Sequence, residues 1–73
     1  MILSLDYINE LFYAGEIINH YPKIVTEWEV DFFSNIVRRI ILYKQHTFFT
    51  YQEKEVIERI RKKAYDFQQL ISD

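Results

Sequence analysis

Residues 26–43 read TEWEVDFFSNIVRRIILY, and the fold turns on this stretch. It opens with Thr26-Glu27-Trp28-Glu29, a capping box in which the threonine hydroxyl and the glutamate three residues on satisfy free backbone amides at a helix start. Val25 before the cap and Val30 inside the helix form a hydrophobic staple, and the acidic first turn suits the positive end of a helix dipole. From Trp28 through Phe32, Phe33, Ile36, Val37, Ile40, Ile41 and Tyr43 the apolar positions cover well over half the helical circumference. Such coverage predicts a central helix with other elements packed around it. Asp31, Ser34 and Arg38 mark a narrow solvent stripe, and Leu42 beside it is a further candidate for exposure.

Two more helices flank this one. On the N-terminal side Ser4 can cap, and Leu3 with Ile8 repeats the staple. Tyr7, Leu11, Ala14 and Ile18 recur at helical spacing with Ile8 and Gly15 beside them, and Tyr21-Pro22 ends the segment near His20 because proline disfavours helical geometry in the residue before it. A short extra turn is expected near Tyr21 to Val25. On the C-terminal side Gln45-His46-Thr47-Phe48-Phe49 is too short for a helix and rich in residues that favour extended backbone, so it reads as a connector. Thr50-Tyr51-Gln52-Glu53 is a second capping box, after which Val56, Ile57, Ile60, Ala64, Phe67 and Ile71 trace one face of a helix reaching about Leu70. The predicted fold class is all-α: a compact three-helix domain with short connectors, spanning 1–73 as a single unit without repeats or linkers.

Composition agrees with that reading. At 73 residues the chain is too short for a doubly wound sheet or a second domain. Its 13 aromatic side chains, six Phe, six Tyr and one Trp, supply enough apolar area to offset chain entropy, which excludes disorder. A single Gly and a single Pro argue against the many turns of a sheet protein. With no cysteine, disulfide scaffolds and thiolate zinc sites are excluded, and a reducing compartment is the default. No basic, apolar leader opens the chain and no run of about 18 apolar residues occurs, so a soluble protein of the cytoplasm is expected.

Net charge is −2, but residues 1–35 hold six acids against Lys23 alone, while residues 36–73 hold eight Lys or Arg against five acids. Halves of −5 and +3 either attract each other when the helices pack or leave a bipolar surface that selects a partner.

Little in the sequence suggests chemistry. His20 and His46 lie in different segments without metal-ligand spacing, and no nucleophile elbow or phosphate loop is present. The acidic groups Glu27 with Glu29, and Glu53 with Glu55 and Glu58, are expected in helix first turns, where capping and the dipole account for them. Neither a metal nor a cofactor is expected, and no enzyme is indicated. The basic run Arg59-Ile60-Arg61-Lys62-Lys63, with Arg38-Arg39, is the best argument for nucleic-acid binding. On a helical wheel its charges point in different directions with Glu55, Glu58 and Asp66 interleaved, and the pI of about 5.6 opposes affinity dominated by phosphate contacts. A nucleic-acid-binding accessory protein would have to use Arg38, Arg59, Arg61, Lys62 and Lys63.

Surplus apolar surface favours protein binding instead. After the three core stripes are assigned, Leu5, Phe12, Tyr13, Phe48, Phe49, Tyr65 and Leu70 have no place. We take Leu5, Phe12, Tyr13, Phe48 and Phe49 as candidate anchors for a partner, with Arg61 and Lys62 as a charged rim. In an extended connector neighbours alternate faces, so one of Phe48 and Phe49 should point inward and the other outward.

Trp28-Glu29 to Phe32, Ile36 and Arg39, followed by Thr50, Glu53-Lys54, Ile57, Ile60 and Lys63, resembles small phage modules in which a helix opening with Trp-Glu precedes one opening with a Ser/Thr cap. The pattern spans about half the chain. Taken with the length and the lack of an enzyme signature, the chain resembles the small early regulators of lytic Xanthomonas phages that bind host RNA polymerase. The resemblance implies a non-enzymatic transcription factor acting in the host bacterial cytoplasm, and a monomer is expected. It would dock on the N-terminal part of the polymerase β′ subunit, inhibit initiation by displacing σ, and permit readthrough of terminators. It carries over no binding residue. A homodimeric module that closes its spare apolar surface on itself is a third reading.

Overall fold

A computed structural model describes residues 2–72, which form three helices and, among the described residues, no strand. Helix α1 spans Leu5–His20, α2 spans Glu27–Tyr43 and α3 spans Tyr51–Ile71. Short 3₁₀ turns at Pro22–Ile24 and Lys44–His46 connect them, the first of them the extra turn expected before Val25. The described chain measures 36 × 24 × 19 Å, its long dimension comparable to the length of α3.

Each helix starts where its cap residue demands. The Ser4 hydroxyl accepts from the Tyr7 amide at 3.1 Å. Thr26 and Glu29 close one reciprocal capping box, and Thr50 and Glu53 close the other. Staple partners Leu3 with Ile8 and Val25 with Val30 all pack into the core or against it.

Leu11, Phe33, Ile36, Ile40, Ile57 and Ile60 are the largest side chains withdrawn fully from water. Ile8, Ala14, Ile17, Ile18, Val25, Phe49 and Ala64 complete the core. The organising helix is α1 rather than the expected α2: α1 packs along both other helices, whereas α2 and α3 meet over a shorter stretch. Small residues explain the α1–α3 side of this, because the buried Ala14 on α1 and Ala64 on α3 let those two backbones approach closely. The apolar excess of α2 faces outward instead. Trp28, Ile41 and Tyr43, expected inside, are more than half exposed, and Leu42 is exposed as expected. Trp28 stacks on Phe32 at 5.2 Å between centroids and so shields part of its ring without entering the core. Ile71, placed on the core face of α3 by its spacing, is also exposed because it lies in the last turn, past the end of the packing.

The connector is tighter than an extended strand. After the 3₁₀ turn only residues 47–50 are free of helix, and the buried Thr47 hydroxyl donates to the Lys44 carbonyl at 2.7 Å. Lys44 closes α2 with φ 55° and ψ −131°, a conformation that side-chain-bearing residues rarely adopt. The Leu3 amide donates to the Gln45 carbonyl at 2.9 Å, and the Gln45 side-chain amide donates back to the Leu3 carbonyl at 3.1 Å. This reciprocal pair pins the segment before α1 to the α2–α3 connector.

Candidate functional site

The seven residues proposed as partner contacts occupy four different places. Phe48 is 76% exposed and Phe49 3% exposed, the alternation expected of neighbours on extended backbone. Phe49 is therefore a core residue and is withdrawn as an anchor. Phe12 is half-buried, packed against the core between α1 and α2. Leu5 opens α1 and is exposed. Tyr13, Arg61 and Lys62 meet in a cleft of about 420 Å³ between α1 and α3, floored by Ala14, Ile17 and Ala64 and flanked by Tyr65.

Most of the positive charge of α3 is already engaged. Arg61 pairs with Glu10 across the α1–α3 interface and with Glu58 on its own helix at 3.5 Å, and its guanidinium lies 5.6 Å from the centre of the Tyr7 ring. The Tyr7 hydroxyl donates to Glu58 at 3.1 Å, and burial with the adjacent Glu58 carboxylate pushes its pKa up to about 12. Arg39 forms a two-pronged pair with Glu53. The Arg39 hydrogen bond and the Thr50 amide hold the Glu53 carboxyl at about 2, and the same pair raises Arg39 further.

Glu29 shows the same economy in the core. Its side chain is almost wholly buried, yet it accepts from the Thr26 amide at 2.8 Å, from the Lys63 ammonium at 3.0 and 3.1 Å, and from Arg59 Nε at 3.3 Å. Burial alone would raise the Glu29 pKa; the Thr26 amide and Lys63 outweigh it and hold the carboxyl at about 2. Capping accounts for only part of this residue. Position 29 precedes Phe33 by four residues on the buried stripe of α2, so a carboxylate there needs a cation from another helix. That was a signal available in the sequence.

The charge asymmetry of the two halves is thus partly spent inside the molecule, since Glu10 and Glu29 from the acidic half hold Arg59, Arg61 and Lys63 from the basic half. Among the described residues Lys62 and Arg38 enter no ion pair.

Seven exposed large apolar side chains gather at one end, while Tyr13, Tyr21, Trp28, Tyr65, Leu70 and Ile71 are exposed elsewhere. The antiparallel course of the helices brings the start of α1, the end of α2, the connector and the start of α3 together. Ile2, Leu5, Ile41, Leu42, Tyr43, Phe48 and Tyr51 all belong to that end and are 56–76% exposed. Of these, Leu5, Leu42 and Phe48 stand out in the sequence. Ile41 and Tyr43 do not, because the apolar pattern assigns them to a core that the last turn of α2 does not enter. Tyr51 is hidden inside a capping box.

Among the described residues no group of three or more His, Asp or Glu stands close enough to hold a metal ion. Among the described residues no helix is long and apolar enough to cross a membrane. Comparison with protein-family models, with curated proteins and with solved structures finds no match.

Proposed function

We propose that this chain is a non-enzymatic, monomeric protein-binding module that regulates transcription by docking on host bacterial RNA polymerase in the cytoplasm. The observation that carries the protein-binding part is the exposed apolar end built by Leu5, Leu42, Tyr43, Phe48 and Tyr51 beside a well-buried core. A few aromatic and aliphatic anchors clustered on a rigid support are what a small protein needs to compete for an element of a large one. The choice of partner rests on the resemblance of the Trp28-Glu29 and Thr50 to Lys63 pattern to phage regulators. With it come the finer steps: contact with the N-terminal part of β′, inhibition of initiation by σ displacement, and readthrough of terminators.

The state of the basic residues favours this reading over a nucleic-acid-binding accessory protein. Arg59, Arg61 and Lys63 are committed to Glu29, Glu10 and Glu58, and Arg39 to Glu53. A phosphate backbone would have to displace those carboxylates.

The test is recovery of partners from a bacterial lysate by tagged protein at low salt and at roughly 0.3 M salt, where exposed charge pairs are largely screened. Polymerase subunits recovered at both salts after nuclease treatment, and lost with Phe48→Ala, are the expected result. Recovery of nucleic acid alone, lost at the higher salt, refutes the proposal.

A further inference from the structure

The second large concavity lies on the opposite side of α1, between α1 and α2, and holds about 510 Å³. Phe12, Ile18, Val30, Phe33, Val37 and Ile41 line it, with Gly15 among them. We infer that this groove receives a basic amphipathic helix of a partner protein. This does not rest on the polymerase reading, and three observations carry it.

The first is Gly15. A glycine in the middle of a helix is less stable than alanine, because it leaves more backbone freedom to lose on folding. Close packing often requires one, but not here. A Cβ at position 15 would sit 3.4 Å from Val37 Cγ2 and 3.7 Å from Phe33 Cε2, ordinary contact distances, and the backbone is not in the left-handed region. The fold gains nothing from the missing methyl group, whereas the groove keeps an open floor between Val37 and Phe33.

Charge is the second. Internal pairing uses Glu10 and Glu29, yet among the described residues Glu16, Glu27 and Asp31 enter no ion pair. Glu16 lines the groove. Glu27 shares a heptad stripe with Ser34 and Ile41, both lining residues, and Asp31 is one helical turn before Ser34. Arg38 is the nearest opposing charge on α2. Glu16 is thus the charged residue that lines the groove, and with Glu27 and Asp31 against Arg38 beyond its α2 edge the charge around the apolar floor is net acidic.

Length is the third. From Val30 to Ile41 the groove follows α2 for about 16 Å, roughly three turns of a guest helix. An apolar stripe at i, i+3, i+4 and i+7 with Lys or Arg on its flanks meets the floor and the acidic charge around it at once.

The probe is a synthetic peptide of about 14 residues, roughly four turns, with leucines at that spacing and lysines elsewhere; its control carries glutamates in place of the lysines. Titration into the full chain, followed by backbone amide NMR, should shift Gly15, Phe33, Ser34 and Val37 saturably. The lysine peptide should bind at least roughly tenfold tighter than the control. Gly15→Ala should weaken the lysine peptide by a similar factor while raising the melting temperature by a few degrees. That opposition of signs would not arise if Gly15 were merely structural. Equal affinity for both peptides, shifts confined to the connector end or the α1–α3 cleft, or unchanged affinity in Gly15→Ala would each overturn the inference. So would self-association abolished by Gly15→Ala, which would assign the groove to a second copy of this chain. Phe48→Ala should leave peptide binding intact, so failure of this site and failure of the polymerase reading are told apart.

Discussion

Glu29 carries a negative charge at a position that the apolar stripe of α2 would give to leucine, and its environment makes it a pH-dependent clasp between α2 and α3. Its folded pKa of about 2 lies below the ordinary value of 4.5, so its contribution is complete above pH 4.5 and is lost as pH falls from there toward 2. Glu53, held at about 2 by the half-exposed Arg39, acts in the same window and with the same sign, more weakly because water screens that pair. Melting temperature should accordingly drop below pH 4.5. Glu29→Gln should cost about 1–3 kcal/mol at pH 7 and flatten the acid limb, because a neutral amide cannot replace a carboxylate between Lys63 and Arg59. An acid limb as steep in Glu29→Gln as in the parent would contradict this assignment. Phe48 and Phe49 make a second residue-scale contrast. Urea titration should find Phe49→Ala destabilised by about 3–5 kcal/mol and Phe48→Ala within about 0.5 kcal/mol of the parent.

At the scale of elements, the α2–α3 junction is the most constrained part of the backbone. Lys44 holds φ at 55° to turn the chain out of α2, and its ammonium donates to the exposed Ile41 carbonyl at 3.0 Å, a small return for that conformation. Lys44→Gly should therefore stabilise the protein by about 1 kcal/mol, seen as a higher urea midpoint with unchanged slope. A fall in the midpoint would mean that the ammonium contact outweighs the backbone cost. The elements themselves were legible in the sequence because their signals are local. Ser4, Thr26 and Thr50 set the starts, and Pro22 set the end of α1, each through hydrogen bonds or sterics within a few residues. The last turn of α2 was not legible in this way. Ile40, Ile41, Leu42 and Tyr43 are all apolar, and only the exit path of the chain decides that Ile40 alone is buried.

For the whole molecule, the three-helix architecture could be read from periodicity, but the choice of α1 as the packing centre could not. It depends on facing small residues, Ala14 and Ala64, whose pairing is a long-range fact. The candidate site was legible in part for a similar reason. Leu5 and Phe48 stood out as apolar residues off any core stripe, whereas their gathering at one end follows from helix lengths and the Leu3–Gln45 tie. Arg61 read as a free rim charge because its partner Glu10 lies 51 residues away. With so compact a core, Ile60→Ala should cost about 2–5 kcal/mol in thermal or urea unfolding, a large share of what a domain this size possesses. A loss under about 1 kcal/mol would mean that the helices close over the gap.

The hydrogen-bonded tie between Leu3 and Gln45 has a practical bearing on how the protein is handled. The tie holds Leu3 at the α2–α3 connector, whereas the last turn of α3 lies some 30 Å from the start of that helix, the length of its 21 residues. An affinity handle or fluorophore at the N-terminal side would crowd the apolar end and produce a false negative in capture experiments. The same label carried after α3 leaves that end open, so a comparison of the two fusions locates the binding face without a single point mutation.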